Sequence, residues 1–156
     1  MASFKGAARR LELIAKSEEV TVFKDFAHSP SKLMATTQAV RTQFPKSKLV
    51  ACMELHTFSS LNQNFLDEYN GTMRDADVPM VYFNPHTIEH KKLPPITEEQ
   101  VKKAFDDNRI RVFTDSARLK EFLLSQSGGN TVYLLMSSGT FDGLPLEQLA
   151  GEMAKQ

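Results

Sequence analysis

Three histidines of this chain follow apolar, β-branched segments of the kind that form strands. They are His28, His56 and His86, which follow segments 20–27, 49–55 and 79–85. Ligands of open α/β sheets bind at the carboxyl ends of the strands, so parallel strands would bring these three imidazoles to one edge. We therefore predict a ligand-binding cleft at that edge, although histidine is also common in ordinary loops.

Metal binding by these histidines is an alternative use of the same edge. Whole βα units separate them along the chain, and neither a His-x-x-x-His motif nor a pair of carboxylates accompanies them. Zinc sites in proteins usually show such short ligand spacings. We therefore predict no metal site within this chain.

A second group of residues has the chemistry of nucleotide recognition. Arg9 and Arg10 precede Glu12, and Asp25 follows fifteen residues after Arg10, at the end of a predicted strand. Arginine matches phosphate oxygens with two parallel hydrogen bonds, and an aspartate at a strand end can accept ribose hydroxyls. Composition alone leaves a second interpretation open. In it the two arginines are solvent-exposed charges of the hairpin, and Asp25 only lies at the amino terminus of a helix without binding a ligand.

The elements that must position these residues alternate between strand and helix patterns, which is typical of a parallel sheet covered on both faces. The fold class is α/β. We predict a Rossmann-like three-layer sandwich with about six strands, mostly parallel, and one antiparallel edge strand from an amino-terminal hairpin. The predicted strands are 11–15, 20–26, 48–53, 80–83, 110–113 and 131–136.

Helix boundaries follow from capping residues and proline. Ser29 and Pro30 begin a helix that Pro45 ends, and the capping boxes 60–63 and 97–100 begin two more. Ser116 is predicted to cap the next helix, and Pro145 to begin the last. Segment 84–96 is predicted to be one long irregular loop, and loops of that length are usually functional.

Composition limits the functions that need to be considered. The chain has 156 residues, with 19 basic and 19 acidic side chains and a single cysteine, Cys52. A single domain of this size can bury a hydrophobic core. The balanced charge gives no reason to expect nucleic acid or an anionic membrane as a partner. No apolar run approaches the roughly 18 residues of a membrane helix. We expect a cytoplasmic protein with no membrane segment.

Two common nucleotide motifs are missing from the sequence. Gly-x-Gly-x-x-Gly does not follow the first strand, and Gly-x-x-x-x-Gly-Lys-Ser/Thr occurs nowhere. If the chain serves an ATP-dependent reaction, another part of the enzyme must therefore hold most of the phosphates.

Four segments in order resemble the carboxy-terminal domain of the Mur ligases. The family's basic Arg-Φ-Glu element and its Asp-Tyr-Ala-His-x-Pro motif are similar to Gly6-x-x-Arg-Arg-Leu-Glu12 and to Val-Phe-Lys-Asp-Phe-Ala-His-Ser-Pro30. Leu-His-Thr-Phe-Ser59 resembles a segment of the alanine-adding members. Leu-Leu-Met-Ser-Ser-Gly-Thr-Phe-Asp-Gly143 resembles a segment of the murein peptide ligases. The resemblance covers nearly the whole chain.

The resemblance implies that residues 1–156 form one domain of a larger, three-domain, ATP-dependent ligase of peptidoglycan synthesis or recycling. In that family ATP and Mg²⁺ activate a carboxylate of UDP-N-acetylmuramate or a derivative as an acyl phosphate, which an incoming amine attacks. The Mg²⁺ and most of the ATP are held by a central domain outside this chain, so we expect the chain alone to be inactive and to contribute no catalytic residue.

By motif position, the resemblance assigns two groups of site residues. Arg10, Asp25 and His28 correspond to nucleotide-binding positions, with Arg10 on phosphate and Asp25 on ribose. Ser137 corresponds to the serine that contacts the carboxylate of the incoming substrate. Ser138, Phe141 and His56 are acceptor-binding candidates around it. The loop 84–96, which could bind further carboxylates of a peptide, adds His86 and Lys91 as acceptor-binding candidates.

The identity of the acceptor remains open at this point. Phe26 replaces the family's usual tyrosine, Ser29 stands where several relatives have histidine, and the Asp-Asn-Pro-Arg motif of the diaminopimelate-adding ligases is absent. The final Ser-Gly-x-Phe-x-Gly segment favours the tripeptide L-Ala-γ-D-Glu-meso-diaminopimelate, and L-alanine is the alternative. An alternative of another class is a stand-alone binding or regulatory module.

Overall fold

The computed structural model describes residues 11–27, 29–57, 61–62, 64–126, 129–137 and 139–155. Its strands are β1 (Glu12–Lys16), β2 (Val20–Asp25), β3 (Lys48–Glu54), β4 (Val78–Tyr82), β5 (Arg111–Phe113) and β6 (Thr131–Met136). Its α-helices are α1 (Pro30–Gln43), α2 (Pro85–His90), α3 (Glu98–Phe105), α4 (Ser116–Ser125) and α5 (Leu146–Lys155).

The six strands form one sheet in the order β1-β2-β6-β3-β4-β5. Only β1 runs antiparallel, as the edge partner of β2, and the other neighbours pair in parallel. The last strand in sequence, β6, therefore lies between β2 and β3 and brings its carboxyl end between theirs. The predicted sheet and its antiparallel edge strand are confirmed.

The two faces of the sheet carry separate apolar cores, because central strands of a parallel sheet are buried on both sides. One face packs against α1 and α3, where Leu33 and Val101 are fully buried. The other face packs against α4 and α5, where Leu119 and Met153 are fully buried. The result is the predicted three-layer sandwich, with Cys52 buried at its centre.

Segment 84–96 is not one irregular loop as predicted, since it contains α2. The Asn84 side chain accepts a hydrogen bond from the His86 N–H, and Pro85 occupies the first turn, where its missing N–H costs nothing. Ile88 anchors the helix in the core at 2% exposure. The Asn-Pro pair was therefore a helix start, and the prediction did not recognise it.

Two further helix predictions need correction. Asp115, and not Ser116, is the N-cap of α4, because its carboxylate accepts the Ala117 N–H at 2.9 Å. The helix predicted from residue 60 onwards is only a 3-10 helix, Leu66–Tyr69, in the described part. There the Asn62 side chain accepts the Asn64 N–H at 2.9 Å, and such a local bond competes with helix formation. The capping box at Thr97 is confirmed.

Candidate active site

The carboxyl ends of β2, β6, β3 and β4 form one polar edge of the sheet. Asp25 is the last residue of β2, Ser137 follows β6, Glu54 ends β3 and Tyr82 ends β4. The β3–β6 register pairs Met53 with Met136, which places the next residues, Glu54 and Ser137, beside each other. Parallel pairing thus gathers side chains that are far apart in sequence, as the predicted cleft required.

Glu54 is the centre of the hydrogen bonding at this edge. It is only 2% exposed, and its Oε1 accepts hydrogen bonds from Ser137 Oγ at 2.5 Å and from the Phe141 N–H at 2.8 Å. The other oxygen, Oε2, lies 3.8 Å from Nδ1 of His56. A buried carboxylate is costly unless hydrogen bonds compensate it, and these contacts supply the compensation.

Ser137 and Gly139 extend this arrangement towards the β6–α5 loop. The Ser137 hydroxyl oxygen accepts the Gly139 N–H at 2.7 Å. Gly139 lies directly under the His56 ring, since a Cβ there would be 2.8 Å from the ring carbon Cδ2. Only glycine allows this approach without moving the imidazole.

The loop continues into a strained turn. Phe141, Asp142 and Gly143 all have positive φ angles, of 52°, 57° and 80°. Non-glycine residues pay roughly 1–2 kcal/mol for this conformation, so it persists only where neighbours enforce it. Phe141 is buried beside the Tyr82 ring, and the Asp142 carboxylate accepts hydrogen bonds from the Tyr82 hydroxyl and, at 2.8 Å, from Asn84 Nδ2.

Tyr82 is held in its neutral form by this environment. Burial raises the pKa of Tyr82 well above the usual range of tyrosine, and the hydrogen bond to Asp142 raises it further. The hydroxyl therefore remains a donor to Asp142 throughout the physiological pH range. The Tyr82 hydroxyl and the Asp142 carboxylate together hold the turn to the end of β4.

Asp25 joins the β2 end to the same edge. Its main-chain carbonyl accepts the Ser137 N–H at 3.0 Å, so the two predicted site residues are directly linked. Its carboxylate is 5% exposed and accepts the Ala27 N–H at 2.9 Å and the Thr36 hydroxyl at 3.3 Å. Asp25 therefore shapes the turn into α1, the structural role that sequence reasoning set beside ribose binding.

A pocket of about 350 Å³ opens between the ends of β2 and β6 and the start of α5. Lys24 stands at its side, 3.1 Å from Glu147 and 3.9 Å from Glu12. The hydrogen bond to Glu147 raises the pKa of Lys24 despite some loss of solvation. The lining residues are Glu12, Lys24, Asp25, Phe26, Leu135, Ser137, Gly139, Thr140, Phe141, Leu144, Pro145, Leu146 and Glu147.

The structure brings some of the predicted acceptor residues together and separates others. His56, Ser137 and Phe141 meet around Glu54. His86 is exposed on α2, and its N–H bonds the Asn84 side chain, which also bonds Asp142 at the edge. Lys91 follows α2 at its C-cap, away from the residues around Glu54. The predicted residues Arg10, His28 and Ser138 lie outside the described residues.

Sequence reasoning missed four residues of this edge, namely Glu54, Tyr82, Asn84 and Asp142. Glu54 did leave a signal, because it is an acidic residue inside the apolar segment 49–55, and a buried charge of that kind requires partners. The other three are ordinary types for strand ends and loops, and nothing in their spacing distinguished them.

Two findings concern other kinds of site. Among the described residues, no group of three or more histidine, cysteine, aspartate or glutamate side chains is placed to hold a metal ion. In the same part of the chain, no helix has the length and hydropathy needed to cross a membrane.

Comparisons with solved structures agree with this fold. A murein peptide ligase from Psychrobacter arcticus 273-4 superposes with a TM-score of 0.72 at 21% identity, covering 95% of this chain and 30% of that one. The ligase MurF from Thermotoga maritima, solved in complex with ADP, superposes with a TM-score of 0.55 at 16% identity. That match covers 95% of this chain and 30% of the other.

Sequence comparison extends the agreement to the family. A UDP-N-acetylmuramate–L-alanine ligase from Wolbachia sp. subsp. Brugia malayi (strain TRS) is 27% identical over 141 residues, which are 87% of this chain and 25% of the relative. This chain thus spans about a quarter of that relative's length. The family model described as the glutamate ligase domain of Mur ligases matches residues 9–139. The chain therefore belongs to the Mur ligase family, as a member of its carboxy-terminal, glutamate ligase domain.

Proposed function

We propose that residues 1–156 form the carboxy-terminal domain of a larger, three-domain, ATP-dependent ligase that makes an amide bond on UDP-N-acetylmuramate. The observation that carries this proposal is the family match over residues 9–139, found on a chain whose sheet has a polar edge and a pocket where open α/β folds bind ligands. The relatives named for UDP-N-acetylmuramate ligation support the same substrate.

The nucleotide would approach the β2 end of this edge. The nucleotide supplies the phosphoryl group that activates the carboxylate of UDP-N-acetylmuramate as an acyl phosphate. Asp25 lines the pocket, and a carboxylate accepts hydrogen bonds from hydroxyl groups, so it suits a ribose hydroxyl. Arg10 and His28 are the proposed partners for phosphate and for the same nucleotide edge. The relative solved with ADP supports a nucleotide in this family.

Magnesium does not fit the described part of this chain, because no cluster of suitable ligands is present there. We therefore derive no step at Mg²⁺ from these residues and assign its binding to a central domain outside the chain. The contribution of this chain is to orient the acceptor and to close one side of the site against water.

For the acceptor we propose the tripeptide L-Ala-γ-D-Glu-meso-diaminopimelate. Ser137, Ser138, Phe141 and His56 would form one wall, and α2 with His86 and Lys91 would form a second wall that suits the further carboxylates of a peptide. The structural likeness to a murein peptide ligase supports this acceptor. L-alanine is the second candidate, because the curated relative with 27% identity is named for L-alanine.

The test compares the two acceptors in the full-length parent enzyme, with UDP-N-acetylmuramate and ATP held constant. We expect a higher kcat/KM for the tripeptide than for L-alanine. Lys91→Ala should raise the KM of the tripeptide several-fold and leave that of L-alanine unchanged, because only the tripeptide reaches α2. Lys103→Ala, an exposed lysine on α3, is the matched control.

Three results would contradict parts of the proposal. Preference for L-alanine would replace the tripeptide assignment, and equal effects of Lys91→Ala and Lys103→Ala would remove α2 from the acceptor site. Amide formation by the purified 156-residue chain alone would show that no further domain is needed.

A further inference from the structure

Strand β5 is the edge of the sheet opposite to β1, and in the described part of the chain it pairs on one side only, with β4. The Phe113 carbonyl accepts the Phe83 N–H at 3.0 Å, so the polar main-chain groups of Phe113 face β4. Successive residues of a strand direct these groups to opposite sides, so the N–H and C=O of Val112 face outward. An exposed edge of this kind is a template for pairing with another strand.

The surface along this edge is basic near the start of β5. A groove of about 550 Å³ runs there, and its charged lining residues are Lys102, Arg109 and Arg111. Arg109 is paired with Asp107 at 2.7 Å. Lys102 and Arg111 are the other two cations of this lining, and both are exposed. This half of the edge therefore offers positive charge to a partner.

The surface near the end of β5 has the opposite character. A second groove, of about 400 Å³, shares part of β5 with the first. Its charged lining residues are Glu98, Asp115 and Arg118, so two carboxylates outnumber one cation, and all three side chains are exposed. Glu98 and Lys102 lie one turn apart on α3. The helix beside the strand thus has the same division into a basic and an acidic half.

A second copy that pairs antiparallel with β5 would bring the basic half of each edge against the acidic half of the other. With Val112 opposite Val112 of the second copy, the outward N–H and C=O groups form a hydrogen-bonded pair of an antiparallel ladder. Lys102 then faces Glu98 of the second copy, and Arg111 lies across from Phe113 instead of another arginine. Each contact occurs twice, because such an interface is isologous.

We propose that this chain forms a two-fold symmetric dimer through antiparallel pairing of β5, which joins the two six-stranded sheets into one. The observation that carries the proposal is the opposite charge of the two halves of one exposed strand edge. Antiparallel pairing of two copies matches these charges, whereas parallel pairing would bring like charges together. Strands β3 and β4 separate β6 from this contact, so the pocket at Ser137 stays open in the dimer.

The test exchanges the charges of one contact across the proposed interface. Sedimentation of the purified chain, at concentrations up to about 1 mM, gives the dissociation constant of the dimer. Lys102→Glu and Glu98→Lys each replace an attraction with a repulsion at two symmetry-related places, so we expect each to weaken the dimer on the order of tenfold. An equimolar mixture of the two variants should form a heterodimer of near-parental affinity, because every repulsive position then meets its opposite charge.

Matched controls make the same changes one residue further along α3. Lys103→Glu and Glu99→Lys alter exposed side chains outside the lining of both grooves, and we expect both to leave the dissociation constant unchanged. Val112→Pro tests the main-chain contact, since it removes the outward N–H at an edge position where strands tolerate proline. We expect it to abolish the dimer. Urea unfolding shows whether each variant is folded, and the charge exchange decides the question if Val112→Pro is not.

Several results would overturn the proposal. A chain that stays monomeric over the whole concentration range does not make this contact. If such a monomer shows a shift of the Val112 amide resonance with acetyl-Thr-Glu-Val-Glu-Thr-amide, the edge belongs to a different, acidic partner. A dimer that folded Val112→Pro and both charge variants leave unchanged uses another surface. A mixture of Lys102→Glu and Glu98→Lys that dissociates as readily as either variant alone would refute the two-fold arrangement.

Discussion

The turn at 141–143 should depend on the contact between Tyr82 and Asp142. Removing the hydroxyl in Tyr82→Phe leaves the buried ring in place and deletes its hydrogen bond to the Asp142 carboxylate. A bond to a charged group is worth about 1.5–3 kcal/mol when buried, but Asp142 is exposed to solvent and keeps its bond from Asn84, so the lower end applies. We expect a loss of about 1–1.5 kcal/mol in the free energy of unfolding. For a chain of this size, Tm should fall by about 2–4 °C for each kcal/mol lost.

A double-mutant cycle isolates this contact. Urea unfolding of the purified chain is measured for Tyr82→Phe, for Asp142→Ala and for the double variant. We expect a coupling energy of about 1 kcal/mol, well above the roughly 0.3–0.5 kcal/mol within which independent sites add. A coupling energy inside that limit would refute the argument that Tyr82 holds the turn.

The strain of the same turn gives a second, independent comparison. Asp142 has a φ of 57°, a conformation that glycine adopts at no steric cost. Asp142→Gly and Asp142→Ala both lose the carboxylate, so their difference reports the strain of alanine less the extra unfolded-state entropy of glycine, about 0.4–1 kcal/mol. The strain is roughly 1–2 kcal/mol, so we expect the glycine variant to be at least as stable as the alanine variant, and an alanine variant more stable by about 0.4–1 kcal/mol would show that the turn is not strained.

Three further predictions concern other parts of the chain. Gly139→Ala should cost about 1 kcal/mol because its Cβ would lie 2.8 Å from the His56 ring, and urea unfolding should show no such cost when His56 is also alanine. The hydrogen bonds from Arg109 hold the pKa of Asp107 below its ordinary value of 3.8, so the carboxylate stabilises the fold above that pH and the benefit disappears as pH falls through the folded-state value. The difference in stability between the parent and Asp107→Asn, about 1 kcal/mol at pH 7, should therefore shrink below pH 3.8, and a constant difference would contradict the assignment. Burial raises the pKa of the Cys52 thiol, so a thiol reagent should label it only as fast as the chain unfolds, and rapid labelling of the folded protein would contradict its burial.

The sequence by itself determined those features that depend on neighbouring residues. Alternating apolar runs and capping residues were enough to predict the sandwich, its antiparallel edge and the capping box at Thr97. The family resemblance was likewise carried by short contiguous motifs, such as the one that ends at Pro30. The errors at Asn84 and Asp115 were also local, where an Asn-Pro pair and an Asp-Ser pair were each assigned the wrong role.

Only the tertiary structure decided which side chains meet. Glu54 bonds Ser137 and Phe141, which are 83 and 87 residues away in sequence. Periodicity shows that a residue belongs to a strand and to one face, but the partner across the sheet depends on strand order and register. The same register places Gly139 under the His56 ring and the Asp142 carboxylate beside the Tyr82 hydroxyl. Because β6 inserts between β2 and β3, the last strand of the chain supplies the serine whose hydrogen-bonding capacity an earlier strand determines.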